Sequence, residues 1–518
     1  MNKSFNLLDE RWLSVWMTNG SLSDVGLLEL FEKAEQIRAL AETSPPSLIA
    51  IYRILLAIVH RALTRRGNEW RDRDRVEWFR TGLPQEELHD YLEQWRDRFW
   101  LFHPEYPFMQ VAALETAEET RGNLKPWTQI SLASASGNTP VVFDHSYDSN
   151  PTSIDPGTAI RLLLGFLQFT PGGLVRVIRN SDNAGPLANS AVSQPTGRTL
   201  QETLCLGLSP SSRRDPTDIP SWEKPSPSLD DLRSAPSFAT GNTDRYTRLS
   251  RAVLLVKNEV GCVQWIHFAA GLALAEEANA PDPMVSYRAG SNKLLRLTFR
   301  DGRALWRDLP ALVPDATGIA AQPAAVLGWA ANLKTMLGGD RNDQTILVAG
   351  VSSDQAKLLR WRIEQVALPV PLLIDVNLAG YLREEVRIAE DTYGKLRAIA
   401  ARMVAATMPD SVSKETIARA RIALDSGPAP AAFFSVVEHA LPGVLELIAA
   451  THVEEATTLW SAALLEASSK AWDMVRRNLG PSPSALRAWA QADRYFRALI
   501  YSLRPGSANE VSIREDVS

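Results

Sequence analysis

The chain has 518 residues, 45% of them hydrophobic and 22% charged, with a formal net charge of −5. This is the balance of a soluble globular protein with enough apolar residues for more than one core, and it argues against binding nucleic acid unaided through many phosphate contacts. Two cysteines, Cys205 and Cys262, neither in a CxxC pair, exclude a disulfide framework or a cysteine zinc site and point to a reducing cytoplasm.

In chain order, Met1 to Asn6 lack a basic stretch followed by an apolar one, so no secretory signal is expected. A strand is expected around Trp12 to Trp16, a turn at Asn19-Gly20 and a helix from Gly26 to Leu40. Pro45-Pro46 open a long apolar helix, Ser47 to Arg66, with proline in its first turn. Its most apolar part, Leu48 to Leu63, is interrupted by Arg53, His60 and Arg61 and reads as too short to span a bilayer. Arg71 to Arg80 alternate in charge sign, as a solvated face does. From Pro84 to Phe99, Leu88, Tyr91, Leu92 and Trp95 recur at three- and four-residue spacings, which predicts an amphipathic helix. In Phe102 to Gln110 two prolines fix an extended path, and the aromatics dock it onto a core.

The organising stretch is the irregular run from Val141 to Leu204. Val141 to Tyr147 form a polar loop, Gly157 to Phe169 a strong helix, and Thr170-Pro171-Gly172-Gly173 a second loop. Asn180 to Gly197 consist of Asn, Ser, Gly, Pro and small residues, and read as one more open loop. Loops this long in a compact chain are functional or disordered, so the rest reads as a scaffold that presents them.

Leu200 to Leu208 are expected to be helical, and Ser209 to Pro236, rich in Ser, Pro and Asp, form a linker or surface excursion. Strands are expected at Ala252 to Lys257, Val263 to Phe268, Met284 to Tyr287 and Leu294 to Phe299, with a hairpin turn at Asp301-Gly302. Pro323 to Leu337 read as a helix, and Thr345 to Ala349 as a short strand leading into a loop, Gly350 to Ala356. From Asp375 the pattern is helical, with spans Asp375–Met408, Val412–Asp425, Ala429–Ala449, Val453–Leu479 and Pro483–Leu503, punctuated by Gly427-Pro428 and Gly480-Pro481. The fold class expected is α+β: a large mixed N-terminal domain with long loops over residues 1–372, then an all-α C-terminal four-helix bundle over 373–518 with a short polar tail.

Catalytic signatures do not appear. There is no GxxxxGK[ST], no GxGxxG after a strand, no HExxH and no GxSxG, and His60, His89, His103, His145, His267, His439 and His452 show no metal-ligand spacing. No enzyme activity, metal or cofactor is expected. Two alternatives stay open: a hydrolase in the α+β region using His145 with Asp148 or Asp155, and a helical assembly scaffold without DNA contact.

Several landmarks together resemble the CasA family, the large subunit of the type I-E CRISPR surveillance complex, Cascade. They are Asn6 to Leu13, Tyr106-Pro107-Phe108-Met109-Gln110, Phe143, Thr158-Ala159-Ile160 running to Pro171-Gly172, Pro220 to Pro225, Gly350 to Ala356, Phe433-Phe434 and Leu441 to Leu445, in family order over nearly the whole chain. The resemblance implies a non-enzymatic subunit that recognises the PAM in double-stranded target DNA, wedges the duplex open to start the R-loop, and helps recruit a helicase-nuclease. Its partners would be the other Cascade subunits with CRISPR RNA, and no membrane. Pro171, Gly172 and Gly173 match the family's minor-groove glycine loop. Ser353, Asp354, Gln355 and Ala356 match its wedge loop, with Gln355 as the wedge and Asp343-Gln344 as a rival pair. Phe143, Asp144, His145, Ser146 and Tyr147 match a loop that contacts the complex and the end of the guide RNA. The family's groove lysine has no counterpart in Gln264 to Glu277, with Lys257 near but off register, and no cysteine zinc site is possible here. Basic residues placed to touch phosphates are Arg176, Arg179, Arg198, Arg248 and Arg251, and in the bundle Arg397, Arg402, Arg419, Arg421, Arg476 and Arg477.

Overall fold

The computed structural model describes residues 3–64, 70–132, 150–210, 217–275, 281–338, 343–354 and 357–504, with backbone alone between 352 and 360. The chain forms two compact units, Met1–Leu305 with Thr317–Val370, and Trp306–Ala316 with Pro371–Ser518.

The first unit is built around the helix Pro45–Thr64, buried without a break from Pro45 to Val59. A helix apolar on every face belongs in a core. Its 20 residues match the length expected from the sequence and are long and apolar enough to cross a membrane, but 89% of its most apolar window is buried inside the protein. Arg53, near its middle, is fully buried against Asp282, donates to Gln168 Oε1 at 2.6 Å, and lies 4.5 Å from the centre of the Tyr246 ring. Around this helix stand small antiparallel sheets. Leu13–Met17 pairs with both Leu22–Val25 and Ile37–Leu40. Arg251–Lys257 pairs with Val263–Ala270. Asp343–Asp354 is central between Lys357–Pro369 and Ala191–Thr196.

Five expectations need correction here. Gly26 to Leu40 is not one helix: Leu27–Glu32 is helical, and Ile37–Leu40 becomes a strand because Leu13–Met17 offers it an edge to pair with. Arg71 to Arg80 is not wholly a solvated face. In the helix Asp72–Thr81, Arg75 is fully buried, bonded to Asp72 Oδ1 at 2.6 Å and to the Cys205 carbonyl at 3.1 Å. Asn180 to Gly197 is not an open loop, since it contains the strands Arg179–Asp182 and Ala191–Thr196. Gly350 to Asp354 is not a loop either; it extends the strand Asp343–Asp354. The turn at Asp301-Gly302 leads into the 3-10 helix Leu305–Ala311 rather than a returning strand.

The second unit is helical. Val376–Ala405, Ala429–Ala449, Val453–Leu479 and Pro483–Ser502 are long, and Lys414–Asp425 is shorter. Side chains cap three of their starts: Asp375 accepts from the Asn377 and Leu378 amides, Ser413 from Thr416 and Ser482 from Ala485. An aromatic cluster fills the interior. Trp306 meets Trp460 edge-on at 6.2 Å and Phe434 at 6.1 Å, which ties the Trp306–Ala316 segment into this unit.

Candidate functional site

The helix Pro156–Phe169 leads into the first candidate element. Asp155 starts it, accepting from the Thr158 amide at 2.9 Å and the Thr158 hydroxyl at 2.6 Å. Burial pushes the Asp155 carboxyl up, but these bonds and Arg161 outweigh it and hold it below its ordinary value. The helix ends at Phe169 because Pro171 disfavours a helical Thr170.

Gly173–Val177 and Arg179–Asp182 then form a short antiparallel hairpin. Gly173 faces Asp182 and Leu174 faces Ser181, but Val177 already faces Arg179. Two residues, Val175 and Arg176, therefore oppose Asn180 alone, which is a β-bulge. Arg176 and Ile178 have φ of 62° and 66°. Non-glycine residues there cost on the order of 1–3 kcal/mol each and persist only when the surroundings hold them.

The hold is visible beneath the hairpin. Asp182 has no exposed side-chain surface. It accepts from Arg179 Nη2 at 2.7 Å, from the Gly271 amide at 2.8 Å and from the Asn183 amide at 2.9 Å, and pairs with Arg251 at 3.1 Å. Arg251 also donates to the carbonyls of Pro171 and Asn183, each at 2.7 Å, so one guanidinium joins the two ends of the hairpin. Burial pulls the Arg251 guanidinium below its ordinary pKa, and the neighbouring Asp182 opposes that pull. Arg179 adds bonds to the carbonyls of Ser234 and Gly271 at 2.8 and 2.7 Å. Val177 and Ile178 pack against the main core, so the hairpin lies on the body with one face outward. Of the hairpin, Gly173, Leu174, Arg176, Asn180 and Ser181 are exposed.

The two glycines differ. A Cβ on Gly172 would stand 3.0 Å from the Ala184 amide nitrogen. Gly173 has φ of 150°, where side chains are rarely accommodated, and nothing lies within 4 Å of its missing Cβ. It is open backbone on an exposed surface.

The second candidate element is the long hairpin Asp343–Asp354 with Lys357–Pro369. Ser353 pairs with Leu358 and Asp354 with Lys357. Gln355 and Ala356, between those paired ends in the sequence, lie outside the described residues, as do Phe143, Asp144, His145, Ser146 and Tyr147. The rival glutamine is accounted for: Gln344 is fully buried in the sheet and donates to the Thr196 carbonyl at 3.1 Å and the Thr345 carbonyl at 2.6 Å. It is unavailable as a wedge.

The basic candidates sort the same way. Arg179 and Arg251 are consumed by the clamp. Arg248 is bound to Asp244 at 3.2 Å and to the carbonyls of Leu272 and Ala273 at 3.0 and 3.2 Å. Lys257 donates to Ser4 at 2.7 Å. In the helical unit Arg397 pairs with Asp425, Arg419 donates to Thr416 at 3.1 Å and Arg476 pairs with Asp473 at 3.5 Å, while Arg402, Arg421 and Arg477 are exposed. Arg198 is exposed, with one i,i+4 contact to Glu202. Of the hydrolase set, His145 and Asp148 lie outside the described residues, and Asp155 is committed to its helix cap.

Two of the sequence landmarks turn out to pack on each other. Phe108 stacks on Trp222 at 5.6 Å and the Ser221 hydroxyl points at the Met109 sulfur at 2.9 Å. Trp222 Nε1 donates to the Tyr91 hydroxyl, which donates to Glu223, itself bound bidentate by Arg61 at 2.9 and 2.6 Å. These residues build the frame. The sequence reading missed the Asp182 clamp, because its partners are up to 89 positions away.

A family model described as CRISPR-associated protein Cse1 matches residues 6–471. A CRISPR-associated protein CasA/Cse1 of Thermus thermophilus is 35% identical over 520 residues, covering 97% of this chain and 98% of that one. The solved structure of Thermus thermophilus CasA (Cse1) has a TM-score of 0.82 at 32% identity, over 96% of this chain and 99% of that one. A chain of a solved CRISPR RNA-guided surveillance complex shares the fold, with a TM-score of 0.71 at 20% identity over 96% of this chain and 100% of that one. With the family model spanning most of its length and a close relative matched end to end, this chain belongs to the CRISPR-associated Cse1 (CasA) family.

Proposed function

We propose that this chain is the large subunit of a type I-E CRISPR surveillance complex, where it recognises the PAM in double-stranded target DNA and opens the duplex beside it. In such assemblies guide RNA reads sequence by base pairing, and protein reads only the short flanking motif. A minor groove roughly 6 Å wide admits no helix, but it admits a backbone without side chains. The observation that carries this reading is Gly173, exposed, at a φ suited to glycine, with empty space where a Cβ would be. Pro171 and Gly172 lead into it, and the Asp182 clamp fixes the path.

Gln355, carried between the paired residues Asp354 and Lys357, is the wedge in this reading. Prising apart a base step costs a few kcal/mol, offset by contacts to the bent duplex. Phe143 to Tyr147 contact the complex and the guide-RNA end, and the helical region 373–518 is a separate domain that helps hold the recruited helicase-nuclease. A net charge of −5 suits a subunit that needs few phosphate contacts of its own because partners tether it to the DNA in the cytoplasm.

The test is a complex reconstituted with guide RNA and the partner subunits. Gly173→Asp puts a side chain and a negative charge in the open space beside the exposed backbone, and Gln355→Ala removes the wedge. Both are expected to abolish most PAM-dependent R-loop formation in a strand-opening assay. R-loops at the normal rate in both variants would overturn the assignment.

A further inference from the structure

We propose that Arg176 is a further DNA-contacting residue, whose guanidinium meets a backbone phosphate on the wall of the groove that Gly172 and Gly173 enter. This rests on the reading above and adds a residue and a contact to it.

Three observations converge on it. The bulge at Val175 and Arg176 interrupts a hairpin of only a few pairs, and bulges beside binding sites serve to aim a side chain. Arg176 is held at φ 62° although a glycine or asparagine there would relieve the strain, and two glycines stand only three and four positions earlier. Strain retained at a site that small residues would remove is consistent with a side chain that is needed. Burial shows where it is aimed: Leu174 is 71% exposed and Arg176 is exposed, while Val175, Val177 and Ile178 are half-buried.

Electrostatics single out the same residue. Arg179, Arg248 and Arg251 spend their guanidinium donors on Asp182, Asp244 and main-chain carbonyls. Arg176 makes no hydrogen bond or ion pair among the described residues. It is exposed, as Gly173 is, and stands three residues along the same strand, at most roughly 10 Å at the rise of a strand. The ligand this surface fits is anionic and presents a groove to bare backbone and a charge about 10 Å away, as duplex DNA does with its minor groove and the phosphates that flank it.

The experiment uses the reconstituted complex and a PAM-bearing duplex, with affinity measured across a salt series. Arg176→Gly removes the guanidinium and relieves the backbone. It is expected to lower affinity about fivefold near 0.15 M salt and to reduce the slope of log K against log salt by about one, as loss of one phosphate contact does. The melting temperature of the chain should hold or rise, which loss of a structural residue would not give. Arg176→Lys, which keeps the charge, should retain most of the slope. Arg80→Ala, an exposed arginine at the end of another helix, should change neither quantity. Affinity and slope of the unmodified complex in Arg176→Gly, or a melting temperature that falls along with affinity, would overturn the proposal. If Gly173→Asp abolishes binding while Arg176→Gly leaves it intact, only this inference falls. If both bind normally, the glycine-loop reading falls as well.

Discussion

Gly173 and Gly350 each sit in an antiparallel hairpin of the first unit, and their surroundings differ. Gly350 is central in the sheet, paired with Ala191 on one side and Arg362 on the other, and a Cβ there would collide with the Ser190 carbonyl oxygen. The fold itself fills the space that glycine leaves. At Gly173 nothing in the protein fills it. A glycine that the protein packs against is architecture, and one that it leaves open on a clamped surface is a place for something else to pack. Gln344 belongs to the first kind, buried and bonded in the strand, while Gln355 lies outside the described residues.

The comparison predicts its own hierarchy of damage. The largest effect is expected below the open hairpin. Asp182→Ala leaves Arg251 buried and unpaired, and removing one partner of a buried pair costs about 3–5 kcal/mol. Denaturant unfolding of the isolated chain would read this as a lower midpoint. A loss under about 1 kcal/mol would mean that the hairpin is not held as described. Next comes Gly350→Ala. Overpacking a strand that cannot move away from Ser190 should cost about 1–3 kcal/mol. Here stability and DNA opening should fall together, because the strands that flank the proposed wedge in sequence are themselves disturbed.

Much of this frame was legible in the sequence, and the physics explains which parts. The C-terminal helices follow the periodicity of their apolar residues, and Gly480, with φ of 72°, closes one of them where the sequence punctuates it. The core helix was readable from its long apolar run after Pro45-Pro46, even with Arg53, His60 and Arg61 inside it. The strand Ala191–Thr196 was not, because it is buried on both faces and contains Ser193, Gln194 and Pro195. Alternation, the signal for a half-buried strand, is absent there, and its composition is that of a loop. Pro195 is tolerated because the strand lies at the sheet edge. At the candidate site, Pro171 to Gly173 were visible as residue types. The clamp was not, since Asp182, Arg251 and Gly271 meet only in the folded chain.

A smaller effect on stability should separate the glutamines. Gln344→Ala removes two donated bonds inside the sheet and should cost about 1 kcal/mol, read as a lower denaturant midpoint, with R-loop formation otherwise intact. Gln355→Ala should do the reverse. Reversed outcomes would give the wedge to the wrong glutamine.

A change in stability of similar size should come from Gly173→Ala, which is the sharpest comparison with Gly350. A methyl at Gly173 meets no neighbour, so its cost is confined to the backbone at φ of 150°, about 1 kcal/mol. The folded hairpin should survive, held by Asp182 and Arg251 beneath it. If the open space belongs to DNA, that methyl stands where the groove floor approaches, and PAM-dependent binding should fall by far more than stability does. Affinity would be measured on the same preparation as the melting curve, so that unfolding cannot stand in for lost contact. Equal, small losses in both would show that the space at Gly173 is simply empty surface, and the distinction between the two glycines would no longer concern DNA.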